Sequence, residues 1–198
     1  MPETELHKAA RDGDLNEVTS LIDEEKLNVN EKGAQGRTAL HRALGSGHHE
    51  CAQLLISKGA DVNISDTLKR TSLHWASMGP APGNVQCCEI VFEHGDGEAM
   101  MSKATKSGST PLHSATGTCR ADVVRFLVEK SSPMDLKDED GLTAYELAKR
   151  EGLSEIATIL APGGGGAKGG GAKSSGGGGG GGGGGDGDGG GAGCCLVQ

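Results

Sequence analysis

A four-residue phrase recurs along the chain at a nearly constant interval. It begins with threonine and reads Thr-x-Leu-His in four of five copies, at Thr4-Glu5-Leu6-His7, Thr38-Ala39-Leu40-His41, Thr71-Ser72-Leu73-His74, Thr110-Pro111-Leu112-His113 and Thr143-Ala144-Tyr145-Glu146. The threonines are spaced by 34, 33, 39 and 33 residues. An alanine recurs two residues after each His position, at Ala9, Ala43, Ala76, Ala115 and Ala148. Such a sequence predicts stacked copies of one small unit.

This phrase and its period resemble the ankyrin repeat, whose signature is T-P-L-H-x-A. The resemblance implies an all-α repeat solenoid of helix-turn-helix units joined by short hairpin loops, which we call fingers. It divides the ankyrin-like repeat domain, residues 2–161, into five units at residues 2–35, 36–68, 69–107, 108–140 and 141–161. The first and fifth units depart most from the pattern, as expected of polar caps at the ends of a stack.

Apolar stripes in the second helix of each unit support this fold. They lie at helical spacings of 0, 1, 3 and 4, at Cys51, Ala52, Leu54 and Leu55 in one unit and at Val123, Val124, Phe126 and Leu127 in another. A single unit cannot bury its own stripe, so neighbouring units must cover it. We therefore expect Leu54→Ala and Leu127→Ala each to cost about 2–5 kcal/mol.

The third unit is the irregular one. Its six extra residues divide between the turn at residues 77–82, where prolines oppose helix, and the finger before Thr110. Lys69 and Cys119 stand where the other units have glycine, which predicts different local geometry at those two positions.

The remaining chain has a different composition. Of 36 glycines, 22 lie between Gly163 and Gly193, which predicts a disordered linker at residues 162–193. The net charge of −8 argues against nucleic acid as a partner. No apolar run approaches the roughly 20 residues of a membrane span, and residues 1–5 do not resemble a signal peptide, so we expect a cytoplasmic protein.

No residue pattern favours catalysis, a cofactor, a metal or a small-molecule substrate. One histidine per unit does not give the ligand spacing of a zinc site. The resemblance implies instead that His7, His41, His74 and His113 bond the backbone of the fingers, a role that Glu146 lacks. Cys87 and His94 could share a helix face as nucleophile and base, but the repeat register places Cys87 in the apolar stripe.

The last four residues, Cys195-Leu196-Val197-Gln198, match the C-a-a-X prenylation box, and the terminal Gln favours farnesyl. Within residues 194–198, Cys195 is the predicted prenylation site and Cys194 a possible palmitoylation site. One lipid gives only marginal attachment and no polybasic patch is present, so Cys194 would supply the second anchor or binding would be reversible. The alternative is an incidental cysteine in an inert tail.

In the ankyrin pattern, the finger tips and first helices form a concave groove that binds other proteins. The residues after each His position should face it, at Lys8, Arg42, Trp75, Ser114 and Leu147. The finger tips are basic for three units, with Lys32, Arg37, Lys69, Arg70, Lys103 and Lys106, and acidic in the fourth, with Asp138, Glu139 and Asp140. This pattern predicts an acidic partner segment, the alternative being a merely solvated charge pattern.

We predict that the partner site is centred on an unburied Trp75 and includes Lys8, Arg42, Arg70 and Ser114. The alternative is that Trp75 only packs under the inserted turn. The sequence as a whole predicts a non-catalytic protein-binding adaptor tethered to the cytosolic face of a membrane. The alternatives are a fully soluble inhibitor or assembly chaperone and, from a different class, an enzyme using Cys87 or His94.

Overall fold

The computed structural model describes residues 2–80 and 84–162, and these form eleven α-helices and no β-strand. Ten of the helices form five helix hairpins. In each hairpin the first helix, which we call the inner helix, begins after a repeated threonine, and the second is the outer helix. In chain order the helices are α1 (Glu5–Asp12), α2 (Leu15–Asp23), α3 (Ala39–Gly45), α4 (His49–Ser57), α5 (Ser72–Met78), α6 (Asn84–His94), α7 (Gly97–Met101), α8 (Pro111–Gly117), α9 (Ala121–Glu129), α10 (Ala144–Arg150) and α11 (Ser154–Leu160). The predicted all-α repeat solenoid is confirmed.

Each inner helix begins immediately after the repeated threonine. Thr4, Thr38, Thr71, Thr110 and Thr143 are the N-cap residues of α1, α3, α5, α8 and α10. In all five, the side chain three residues later bonds back to the threonine, which makes a capping box. The repeated phrase therefore specifies where the helices start.

The inner helices pack in a row, α1 on α3, α3 on α5, α5 on α8 and α8 on α10. The repeated alanines lie in this row and are all buried, and the leucines before the histidines are buried with them. A methyl group at each alanine position lets neighbouring helices approach closely, while each leucine fills the space between them.

The outer helices form a second row, α2 on α4, α4 on α6, α6 on α9 and α9 on α11. Cys51, Ala52 and Leu55 are buried in α4, and all four predicted stripe residues are buried in α9. Leu54 is only half-buried, so we now expect Leu54→Ala to cost less than Leu127→Ala.

Successive fingers are joined by backbone hydrogen bonds. Thr67 N donates to Gln35 O at 2.9 Å, Lys106 N to Leu68 O at 2.9 Å, and Glu139 N to Ser107 O at 3.0 Å. These contacts bring the fingers side by side along the stack.

Left-handed backbone ends each finger tip, with Gly36, Gly108 and Gly141 at φ of 70–75°. A Cβ on Gly108 would lie 2.9 Å from Glu139 N, so the next finger's approach requires glycine there. Lys69, at the equivalent finger tip, has φ of 61°. Cys119, in the turn between α8 and α9, has φ of 59°, and Gly13, Gly47 and Gly152 in the equivalent turns have φ of 70–76°. We expected a different backbone geometry at Lys69 and Cys119, and this is wrong: their φ angles are positive, like those of the glycines. Packing in the stack imposes this left-handed conformation even on residues with a Cβ.

The irregular third unit contains an additional helix. α5 continues through Ser77 to Met78, so the expected loop begins two residues later than the prolines alone suggested. The second insertion folds as α7, whose Met100 and Met101 are buried and which contacts α5, α6 and α8. The inserted residues thus add to the core instead of only lengthening a finger.

The Gly-rich segment from residue 163 onward, with Cys194 and Cys195, lies outside the described residues, so the predicted linker and prenylation box are untested. Among the residues that the structure does describe, no helix combines the length and the apolar character required to cross a bilayer.

Candidate protein-binding groove

The groove is the surface formed by the inner helices and the fingers. Lys8, Arg42, Trp75 and Ser114 lie at the same position of four successive inner helices, and Arg70 lies in the finger just before α5. The structure brings Arg42, Arg70 and Trp75 into one region at the second and third repeats. Arg37, from the finger before α3, joins them there.

Trp75 is the centre of this region. The Arg70 guanidinium carbon lies 4.2 Å from the indole ring centroid and that of Arg37 lies 5.7 Å away. Both distances are within the range of cation–π attraction. The indole also contacts α3, since a Cβ built on Gly45 would lie 2.8 Å from Trp75 Cε3. Trp75 is therefore half-buried, and the expectation of an unburied indole is wrong.

Arg70 is held in place from below by Asp66, whose side chain is fully buried. Arg70 Nε donates to Asp66 Oδ2 at 2.7 Å, and Asp66 Oδ1 accepts from the backbone N of Leu68 and of Arg70 at 2.9 Å each. The carboxylate thus fixes both the finger and the guanidinium that covers Trp75.

Glu3, from the segment before α1, bridges the other two arginines. Its carboxylate forms ion pairs with Arg42 and, at 3.5 Å, with Arg37 Nη2. The three side chains are 16–18% exposed, so the ion pairs are partly shielded from water. We call Glu3, Arg37, Arg42, Arg70 and Trp75, with Asp66 beneath them, the arginine–tryptophan cluster.

Two donors of the cluster lack an acceptor. Trp75 Nε1 and Arg42 Nε are buried atoms with no hydrogen-bond partner within the described ranges. Burial lowers the pKa of the Arg37 and Arg42 guanidinium groups, and for Arg37 the charge of Arg70 lowers it further. Three guanidinium groups face two carboxylates, so the cluster can accept an additional negatively charged or acceptor group.

Lys8 and Ser114 lie on the same row but outside the cluster. Lys8 is exposed and pairs with Glu5 at 2.8 Å, within α1. Ser114 is half-buried, and its backbone carbonyl accepts from Thr118 Oγ1 at 2.8 Å. Their predicted contribution to a partner site stays a prediction.

The acidic finger of the fourth unit is partly neutralised by its own backbone and by Arg150 of the fifth unit. Asp138 Oδ1 accepts from the backbone N of Asp140 and of Leu142 at 3.0 Å, and Asp140 pairs with Arg150 at 2.9 Å. Glu139 remains exposed at the tip. The acidic character of this finger is therefore less available to a partner than the sequence suggests.

The repeated histidines have the backbone-binding role that the resemblance implied. Nε2 of His7, His74 and His113 lies 2.9–3.1 Å from the carbonyl just before the next repeated threonine, that of Arg37, Ser109 and Leu142. His41 instead reaches Ile64 O at 3.0 Å. Their Nδ1 atoms accept from the capping threonines' backbone N–H, which assigns the Nε2–H tautomer.

Cys87 and His94 lack the features of a catalytic pair. Desolvation raises the pKa of the fully buried Cys87 thiol to about 12, so it stays protonated at neutral pH. His94 Nδ1 donates to Ile90 O at 3.1 Å within α6.

Sequence reasoning missed Glu3 and Asp66 as parts of the cluster. Asp66 could have been found from the repeat pattern, because Asp138 occupies the equivalent position in a later finger. Each aspartate accepts from the backbone N two and four residues further on. Glu3 carried none, since its role depends on the distance between α1 and the next finger.

The paired helices, capping phrase and exposed groove define a helical repeat scaffold of the protein-binding class. A sequence model of ankyrin repeats, in three copies, matches residues 6–103 and 73–168. The chain therefore belongs to the ankyrin repeat family.

Two curated relatives are similar over most of the chain. The probable 26S proteasome regulatory subunit p28 of Saccharomyces cerevisiae is 35% identical over 150 residues, which is 75% of this chain and 64% of the yeast protein. A homolog of the transient receptor potential cation channel subfamily A member 1 from Caenorhabditis elegans is 29% identical over 155 residues, 78% of this chain and 12% of that protein. The chain thus spans less than two thirds of either relative.

Proposed function

We propose that this protein is a non-catalytic adaptor that binds another protein through the arginine–tryptophan cluster. The observation that carries the proposal is the half-buried Trp75 between arginines, with two buried donors that no described residue satisfies. Tryptophan and arginine dominate binding hot spots, and unsatisfied donors favour an acceptor-rich partner. An acidic segment supplies such acceptors.

The yeast relative is named as a regulatory subunit of the 26S proteasome, a protein that works within an assembly. This supports protein binding as the activity of the present chain. It is equally compatible with the second candidate function, a soluble inhibitor or assembly chaperone whose tail is inert.

The partner site is tested with two single variants. Trp75→Ala and Arg42→Ala should each weaken partner binding by about 1–4 kcal/mol. Arg42→Ala should change thermal unfolding little, whereas Trp75→Ala should also lower the melting temperature, because the half-buried indole packs against α3. Arg125→Ala is the matched control, since Arg125 lies on the outer helix α9 and pairs with Glu155. Proximity labelling in the native cell with wild type and Arg42→Ala identifies partners, and calorimetry on a purified partner gives the affinities. If Trp75→Ala unfolds the domain and leaves no specific binding defect, Trp75 is a core residue and the site lies elsewhere.

We further propose that Cys195 is prenylated, with Cys194 as the site of a second lipid, and that this tethers the adaptor to the cytosolic face of a membrane. The support is the terminal box alone. Cys195→Ser should then move the protein into the soluble fraction, whereas Cys194→Ser should only weaken membrane association. The intact mass of the native protein separates the tethered adaptor from the soluble alternative, because a prenyl group with loss of the last three residues changes it. Equal partitioning of Cys195→Ser and wild type would contradict the tether.

A further inference from the structure

We propose that Glu3 is an intramolecular occupant of the carboxylate subsite in the groove, and that an acidic partner residue displaces it. This inference rests on the proposed partner site and concerns the regulation of that site. Its geometric basis is the position of the Glu3 carboxylate between Arg37 and Arg42.

The bridge formed by Glu3 has the chemistry of a recognised ligand. A carboxylate facing two guanidinium groups is the arrangement by which arginines bind acidic side chains between proteins. Here the carboxylate comes from the first repeat, whereas Arg37 and Arg42 belong to the second. The contact therefore joins two adjacent repeats and is not local in sequence, as a partner's contact would be.

Glu3 does not satisfy every hydrogen-bond donor of the cluster, which favours its replacement by a partner carboxylate. Glu3 leaves Arg42 Nε without an acceptor, and Trp75 Nε1 is also unpaired among the described residues. A partner that brings two acceptors could replace the Glu3 contact and satisfy these donors as well. The remaining Arg70 is already neutralised by Asp66 and stays on Trp75.

An internal competitor lowers apparent affinity by the fraction of molecules in which the subsite is free. Partly exposed ion pairs contribute modestly, so Glu3 should be bound in most but not all molecules. Removing its charge should therefore tighten the binding of an acidic ligand by roughly 3- to 10-fold.

The test uses the full chain and acetyl-hexaglutamate amide as the probe, with acetyl-hexaglutamine amide as the uncharged control peptide. Trp75 is the only tryptophan, so its fluorescence reports binding at the cluster. Glu3→Gln should bind hexaglutamate roughly 3- to 10-fold more tightly than wild type. Glu17→Gln is the control for net charge, since Glu17 is exposed on the outer helix α2. Glu3→Asp keeps the charge but shortens the reach, and should tighten binding less than Glu3→Gln.

The arginine background locates the effect. In Arg42→Ala, Glu3 keeps only its 3.5 Å contact with Arg37, so adding Glu3→Gln should change the affinity less than it does in wild type, by under about 2-fold. If wild type and Glu3→Gln bind hexaglutamate equally and Arg42→Ala weakens both, the partner site stands and the Glu3 inference is overturned. The same holds if Glu17→Gln tightens binding as much as Glu3→Gln. If neither wild type nor Glu3→Gln binds hexaglutamate better than hexaglutamine, the acidic-segment proposal fails and the Glu3 inference fails with it.

Discussion

At the scale of single residues, the outer-helix leucines show how burial decides energetic weight. Leu127 and Leu55 are fully buried, whereas Leu54 is half-buried at the edge of the same stripe as Leu55. We expect Leu127→Ala and Leu55→Ala each to cost about 2–5 kcal/mol of unfolding free energy, because each leaves a cavity between repeats. Leu54→Ala should cost less than about 2 kcal/mol. Urea unfolding of the three variants measures this, and equal losses at Leu54 and Leu55 would contradict it.

His41 and His74 should make stability depend on pH. Desolvation lowers the pKa of both from 6.5 to about 4, which keeps them neutral in the folded protein. The folded-state pKa of each histidine lies below its unfolded-state pKa. The protein therefore has its full stability, as far as these histidines determine it, above about pH 6.5 and loses stability as the pH falls toward 4. At pH 5 the free energy of unfolding should be lower by about 2 kcal/mol for each of the two histidines.

The measurement is urea unfolding at pH 7.5 and pH 5. His41→Gln should be less stable than wild type at pH 7.5 but should lose less stability between the two pH values. His49→Gln, in the first turn of α4, is the control and should retain the wild-type loss. A His41→Gln loss as large as that of wild type would rule out His41 as a source of the pH dependence.

Residue positions in the groove were predictable, but their surroundings were not. The repeated phrase placed Arg42 and Trp75 on equivalent turns of adjacent helices. Whether Trp75 would be open or covered depended on Gly45 and on two arginines from different fingers. Such contacts join distant parts of the chain, and no local pattern encodes them.

At the scale of elements, the finger tips show tertiary structure overriding backbone preference. Lys69 adopts φ of 61° where other units use glycine, which places it in a sparsely populated conformation for a residue with a Cβ. Lys69→Gly should therefore stabilise the protein by about 0.5–1 kcal/mol. Lys103→Gly is the matched control, because Lys103 is an exposed loop lysine without positive φ and should gain nothing. Urea midpoints decide it, and a destabilised Lys69→Gly would show that its side chain contributes more than its torsion costs.

The inserted helix α7 marks the limit of prediction for elements. Counting residues between repeated phrases located the insertion, since the interval there is 39 residues. The five-residue helix itself could not be foreseen, because so short a segment has little intrinsic helicity. Its stability comes from burying Met100 and Met101 against α5, α6 and α8.

At the scale of the whole molecule, each repeat is stabilised mainly by its neighbours. Among the described residues, α10 and α11 of the fifth unit pack on each other and, outside their own unit, mainly on α8 and α9 of the fourth. Glu146 caps α10 but makes no hydrogen bond to another repeat among the described residues. Backbone amides in α10 and α11 should therefore exchange with deuterium faster than those in α5 and α8.

Hydrogen exchange followed by mass spectrometry measures this at the level of single helices. α1 provides an internal comparison, because within the described ranges its main packing partners outside its own unit also lie on one side, in α3, but its His7 is bonded to Arg37. We expect α1 to be intermediate. Equal protection of α10 and α5 would show that the stack opens as one cooperative unit.

The histidine bonds between repeats have a consequence for how this chain can vary over evolutionary time. His7 and His113 bond carbonyls 30 and 29 residues ahead, and His74 bonds one 35 residues ahead, yet all three distances are 2.9–3.1 Å. The extra residues of the third unit lie within the longest of these intervals, so they are accommodated without loosening the contact. The distance between neighbouring repeats in the structure is therefore independent of the number of residues that connect them. Loops between two such bonds can gain or lose residues while a bound partner continues to meet side chains at the same intervals.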